Sequence, residues 1–184
     1  PPRSTLFPYT TLFRSLMAQA PKAGKIKKTE ENKQLGFKKL TLSNGAKVII
    51  KKTDFKDDEI QFAASANIGY AAYQNDPINA QNASAVWGLS GLGEFSSNDL
   101  EKALAGKQCG VDFSFSTFRH GLSGTTTPKD LATMMQLVYL NMTNVTKDQK
   151  ASDNMKNTYT TVLANKSNNP GLVFQDSVQS TLYL

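Results

Sequence analysis

The sequence predicts an α+β fold, a largely antiparallel sheet covered by helices, and three observations predict it. Asn44-Gly45 separates two strand-like runs, the strongest short-range hairpin signal, because the turn needs residues that tolerate positive φ. Val111, Phe113, Phe115 and Thr117 alternate with small or polar residues, and a second strand-like run follows from Gly121 to Thr126. Helix start signals stand beside this hairpin, at Ser96-Ser97-Asn98-Asp99 and at Thr127-Pro128-Lys129-Asp130. Two of the connections are hairpins, which argues against a doubly wound parallel sheet, whose strands need crossovers.

The elements follow in chain order. Residues 1–15 are set aside as non-native: LFPYTTLFRS, residues 6–15, is what a common short-read sequencing adaptor gives when translated. Pro8, Arg14 and the broken apolar run do not fit a secretory signal. Residues 16–35 read as a solvated linker, because Lys, Glu, Gln, Asn and Gly dominate from Ala18 to Leu35. The domain then occupies residues 36–184. Phe37–Leu42 and Ala46–Lys52 form the Asn-Gly hairpin, and a third strand spans Glu59–Ile68 with Ile60, Phe62 and Ala64 on one face.

A helix begins near Pro77 and ends in the spaced Gly88, Gly91 and Gly93. The next opens at the Ser96 cluster and stops at Gly106, with Asp99 and Glu101 in its first turn, where carboxylates complement the helix dipole. After the Val111–Thr126 hairpin, Thr127 is expected to cap a third helix, with Pro128 at its first position and Asp130 bonding back to the cap. Leu131, Met134, Met135, Val138 and Met142 form its apolar stripe, and Met134, Met135, Met142 and Met155 are read as core. Thr146 is expected to cap a fourth helix lined by Ala151, Met155, Tyr159 and Val162, ending at Asn168-Asn169-Pro170. A last helix starts at Pro170 with Val173, Phe174, Val178 and Leu182 inward. It reaches Leu184 in mid-pattern, read as a truncated domain.

The formal net charge of +6 invites a nucleic-acid reading, but the charge is unevenly placed. Met17 to Lys52 holds ten Lys and two Glu, whereas Thr53 to Leu184 holds nine basic and thirteen acidic residues. The body is mildly acidic, so the fold itself presents no nucleic-acid face. No run approaches the roughly 20 apolar residues of a membrane span. A single cysteine, Cys109, excludes an internal disulfide and a cysteine-cluster zinc site.

The blocks TLSNGAKVIIKKTDFKDDEIQF, GLGEFSSNDLEKALAGK and GLSGTTTPKDLATMMQLVYL, followed by the helix ending at NNPG, resemble the pitrilysin/insulinase family of inverted zincin peptidases. The likeness is to the non-catalytic half of bacterial two-half members and covers about Lys25 to Tyr183. The resemblance implies homologous α+β units paired around a closed chamber. In the catalytic half, His-x-x-Glu-His on a helix supplies two zinc ligands and the general base, and a Glu on a later helix completes the ligand set. Here the corresponding helix reads Asn82, Ala83, Ser84, Ala85, Val86, Trp87 and Gly88, and the later helix offers Thr160, Thr161 and Val162.

No glutamate follows Glu101, and His120 is the only histidine. The segment is therefore expected to hold no catalytic residue, no metal and no cofactor, with zinc in the catalytic half. Its expected partners are that half, in cis or in trans, and unfolded peptide substrate, with no nucleic acid and no membrane span. A periplasmic or cell-envelope location is implied by the family alone. Val111 to Thr126 is rich in Ser and Thr opposite its aromatics, and an exposed edge strand of this kind can pair with an extended peptide. Ser114, Ser116, Arg119 and His120 are the candidate substrate-binding residues, although a turn histidine is the ordinary account of His120. The spaced glycines are read as a helix end, since no strand precedes them and no Lys-Ser/Thr follows. Two rival readings stand beside the peptidase unit: a purely structural member of the same fold, and a nucleic-acid module using the basic arm.

Overall fold

The computed structural model describes residues 15–183. Residues 1–14, nearly all of the adaptor-like head, and Leu184 lie outside the described residues. The fold is α+β, with two three-stranded antiparallel sheets and five α-helices among the described residues. Ile26–Asn32 (β1), Phe37–Leu42 (β2) and Lys47–Lys51 (β3) form the first sheet in that order. Ile60–Ala66 (β4), Cys109–Phe115 (β5) and His120–Thr126 (β6) form the second, in the order β4-β6-β5. The helices are Pro77–Leu89 (α1), Ser97–Leu104 (α2), Leu131–Thr143 (α3), Gln149–Ala164 (α4) and Pro170–Tyr183 (α5).

β1 lies inside the segment expected to be a solvated linker. Its composition, IKKTEEN, lacks the apolar alternation that marks a half-buried strand, but a ladder needs only backbone groups and compatible neighbours. Glu30 sits opposite Lys39 and Glu31 opposite Lys38, and the Glu30 carboxylate lies 2.9 Å from Lys28 Nζ and 3.7 Å from Lys39 Nζ. The upstream residues are tied down as well. Leu16 is 7% exposed in a core cluster with Leu92, Ala103, Leu137 and Leu140, and its N–H donates to Gln136 Oε1 at 3.0 Å.

The β2–β3 hairpin forms as expected, with a different turn. Only Gly45 has positive φ, +88°. Leu42 N–H donates to Ala46 O at 2.8 Å and Gly45 N–H to Leu42 O at 3.0 Å, so the loop has three residues and ends on a left-handed glycine. Asn44 contributes its side chain instead, with Oδ1 accepting from Ala46 N–H at 3.1 Å.

Helix starts follow local chemistry where the cap and its amide are neighbours in sequence. Asp76 caps α1 with Pro77 at its first position, and Ser96 Oγ accepts from Asp99 N–H at 3.2 Å to cap α2. Two expected starts are displaced. α3 begins at Leu131 rather than Pro128, and Asp130 makes no side-chain cap bond, because its Oδ2 accepts from Gln108 N–H at 2.9 Å across the fold. α4 is capped by Asp148, whose Oδ1 accepts from Ala151 N–H at 3.0 Å. Thr146 Oγ1 instead donates to Gly93 O at 3.1 Å, tying the loop before α4 to the glycine turn.

α1 and α3 pack on β5 and β6, so the second sheet has one covered face and one open face. Met134, 1% exposed, with Leu137, Val138 and Asn141 gives α3 a buried stripe at i, i+3, i+4 and i+7. Met135 and Met142 fall off that stripe and are exposed, which corrects their reading as core. The inward face expected for α5 is also corrected: Val173, Phe174, Val178 and Leu182 are exposed, and the helix packs mainly on the turn Lys166–Asn168, helped by a Lys166–Asp176 ion pair.

Candidate functional site

Two places matter: the groove between α1 and α4, and the β5–β6 hairpin. The groove exists because α1 and α4 lie side by side. It encloses about 810 Å³, with Asn82, Ala83 and Val86 from α1 facing Met155, Tyr159 and Thr160 from α4. The groove therefore brings together the two helix segments on which the family resemblance places its zinc ligands. The donor set does not fit zinc, since amide, methyl, thioether, phenol and hydroxyl groups replace imidazoles and carboxylates. Among the described residues no group of three or more His, Cys, Asp or Glu converges on a point.

α1 packs on the sheet through Trp87. The Trp87 ring stacks on Phe113 with centroids 4.1 Å apart, and its Nε1–H donates to Asn141 Oδ1 at 2.9 Å. Asn141 is buried and completes its own bonding by donating from Nδ2 to Leu137 O at 2.8 Å. A lone Trp within the motif segment and an Asn on an apolar helix face are the only sequence signals for this pair.

The four sequence-predicted residues do meet at one end of the second sheet, in unequal roles. Ser114 Oγ points from the exposed face and reaches Gly121 O on its own partner strand at 3.5 Å. Ser116 closes the hairpin. Its N–H donates to Arg119 O at 2.8 Å, its Oγ to the same carbonyl at 3.0 Å, and its carbonyl accepts from Tyr70 N–H at 3.0 Å. Arg119 contributes that carbonyl and leaves its side chain exposed. His120 Nδ1 lies 2.7 Å from Ile68 O. A carbonyl only accepts, so Nδ1 carries the proton and the ring ties the chain after β4 to the hairpin. Its ring also meets Phe115 edge-on at 6.3 Å.

Among the described residues β5 is an edge strand, paired with β6 alone. Ser116 faces its partner Arg119, and alternation along an antiparallel ladder then turns the N–H and C=O of Val111 and Phe113 away from β6. Cys109, at the start of this strand, has its thiol pKa raised by burial and then by the Asp130 carboxylate, with Lys107 opposing. Burial thus favours the protonated thiol, the less nucleophilic form.

No family profile matches the chain. A zinc protease PQQL-like protein of Arabidopsis thaliana is 28% identical over 104 residues, 56% of this chain and 11% of that protein. The crystal structure of the periplasmic protease PqqL from Escherichia coli superposes with a TM-score of 0.73 at 26% identity, over 93% of this chain and 19% of that one. These two likenesses support placing the chain with the pitrilysin/insulinase family of inverted zincins. The ferredoxin protease FusC, solved in complex with Arabidopsis ferredoxin, shares the fold with a TM-score of 0.71 at 21% identity, over 96% of this chain and 20% of that one. The chain thus spans about a fifth of the length of these solved relatives. Asn82, Ala83, Val86 and Thr160, on the helix segments where the resemblance places zinc ligands, offer no imidazole or carboxylate.

Proposed function

We propose that the chain is a non-catalytic unit of a pitrilysin-type zinc protease, pairing with a catalytic half and lining the chamber in which unfolded peptide is cleaved. The observation that supports this reading is the α1–α4 groove, which joins the two helix segments where the resemblance places zinc ligands and lines them with Asn82, Ala83, Val86, Met155, Tyr159 and Thr160. Zinc and the general base then belong to the other half, and this unit contributes remote binding. Such contacts accelerate cleavage by holding the scissile bond in place rather than by touching the metal.

The peptide would add as a strand to the β5 edge, bonding to the outward groups of Val111 and Phe113, with Ser114, Ser116, Arg119 and His120 shaping the end of the track. Such a protein would work in the periplasm, where the related PqqL is found. Amide exchange in the complete polypeptide tests the reading, measured with and without reduced and alkylated lactalbumin as an unfolded substrate. The Val111 and Phe113 amides should slow on addition of substrate. If substrate is cleaved while these amides exchange unchanged, the unit is a structural partner and the peptide track lies elsewhere.

A further inference from the structure

Asn44-Gly45 is the one place in the sequence where glycine follows asparagine, and the fold sets it at the tip of the β2–β3 hairpin. Both residues are exposed. Glycine matters at the second position because no side chain screens its nitrogen, and the space around it is open: a Cβ at Gly45 would meet nothing within 4 Å. The Asn44 carboxamide is held over the turn, with Oδ1 accepting from Ala46 N–H at 3.1 Å. That bond draws electron density from Cγ and keeps the side chain against the chain that follows. An electrophilic amide carbon and a main-chain nitrogen one residue apart are neighbours for ring closure, the reaction that makes asparagine thermolabile.

One contact opposes the attack. Gly45 N–H donates to Leu42 O at 3.0 Å, and the nitrogen must leave that bond before it can reach Cγ. The strand that follows offers little resistance, since all five residues of β3 are exposed and β3 is paired among the described residues with β2 alone. Opening the end of such a hairpin belongs to the low end of local stability. Charge favours the attack. Lys25 and Lys47 stand on either side of the loop, for Lys25 O accepts from Ser43 N–H at 2.8 Å and Lys47 opens β3. Glu30 and Glu31 lie further along the ladder, opposite Lys39 and Lys38. A positive surround attracts hydroxide and stabilises the anion formed when the Gly45 nitrogen gives up its proton.

We infer that Asn44 is a site of spontaneous covalent modification, converted by water to an aspartyl or isoaspartyl residue through a cyclic imide. Hydroxide takes the proton from the Gly45 nitrogen, which bonds to Asn44 Cγ. The Cγ–Nδ2 bond then breaks and ammonia leaves, taking a proton from water and so returning the hydroxide. A second water opens the imide at either carbonyl carbon. The sum is one water consumed and one ammonia released, with no change of oxidation state. Each product places a negative charge between Lys25 and Lys47, and the isoaspartyl product adds one carbon to the main chain of the three-residue loop. Asn82 is built differently: its Nδ2 donates to Ile78 O at 2.8 Å, and the nitrogen of Ala83 after it lies inside the α1 ladder. None of this requires the proposed function, only the hairpin.

For the test, the complete polypeptide is held at body temperature, folded and in urea, at neutral and mildly alkaline pH, then digested and mapped against a sample digested at zero time. The peptide containing Asn44 should gain about one mass unit with an equal release of ammonia. The rate should rise about 10-fold per unit of pH. A protein isoaspartyl methyltransferase should label the product. The folded protein should convert within about 30-fold of the rate in urea. A larger gap shows that the Leu42 bond protects the site and overturns the inference, as does conversion at Asn82 as fast as at Asn44. Asn44→Gln keeps a carboxamide at the turn but needs a larger ring, so its peptide should stay unmodified. A mass gain there at the original rate would overturn closure through Gly45.

Discussion

Trp87 and Asn141 show how a single position changes the meaning of a helix. Both side chains lie where α1 and α3 meet the sheet, and the indole joins them through one stacked ring and one hydrogen bond. Trp87→Ala removes the stack and the donor together and should cost about 3 kcal/mol of stability. Trp87→Phe keeps a ring against Phe113 but leaves the buried Asn141 Oδ1 without its donor, for a loss of about 1 kcal/mol. Urea midpoints of the two variants check the ranking, and equal losses would show that the hydrogen bond carries the effect. Cys109 gives a prediction in pH. Its thiol pKa is raised in the fold, so the thiolate is disfavoured there relative to the unfolded chain. The unfolded state then loses its proton first, and the Cys109 contribution to stability is full below the ordinary thiol pKa and lost as pH rises through the folded value. The alkaline loss of stability should be smaller in Cys109→Ala, and an Ellman reagent should react slowly at neutral pH and faster above it.

Elements were legible in the sequence to the extent that their causes are local. Ser96 and the Asp99 amide it caps lie three residues apart, so the start of α2 can be read directly. Asp130 looks like the same kind of signal at α3, yet its carboxylate serves Gln108, 22 residues upstream, and nothing local announces that bond. Replacing Asp130 by Ala should therefore do more than weaken a helix end. It strips the partner from a part-buried amide and should cost about 1–3 kcal/mol, whereas Ser96→Ala should cost about 1 kcal/mol. Thermal melts of the two variants decide the order, and a larger loss for Ser96→Ala would return Asp130 to an ordinary capping role. β1 escaped the sequence for a related reason: its partners are the lysines of β2, and pairing of charges across a ladder leaves no apolar alternation to find. The candidate site was legible as a cluster, since hairpin geometry brings Ser114, Ser116, Arg119 and His120 together. Their roles were not, because Ser116 and His120 are engaged by Tyr70 and Ile68, residues that sequence spacing does not associate with them.

At the scale of the whole molecule, the chain displays large apolar side chains at its surface. Ile49 is 63% exposed on β3 and Phe174 70% exposed on α5, and neither element has a buried residue. α1 packs on β5 and against α4, and the loop before α4 is tied to Gly93 through Thr146 Oγ1 and Asn144 O. Zinc binding requires particular atoms at particular positions on that pair, and Asn82, Ala83, Val86 and Thr160 do not provide them. Metal analysis therefore separates the unit from the protein that contains it. The 184-residue chain, dialysed against micromolar zinc and then buffer, should retain none, and its melting temperature should not move. The complete polypeptide should retain about one zinc per catalytic half, and removing that zinc should abolish cleavage while leaving amide exchange at β5 unchanged. Stoichiometric zinc on this chain would place a ligand set outside the α1–α4 groove. Zinc-free cleavage by the complete polypeptide would instead break the link between this fold and its expected chemistry.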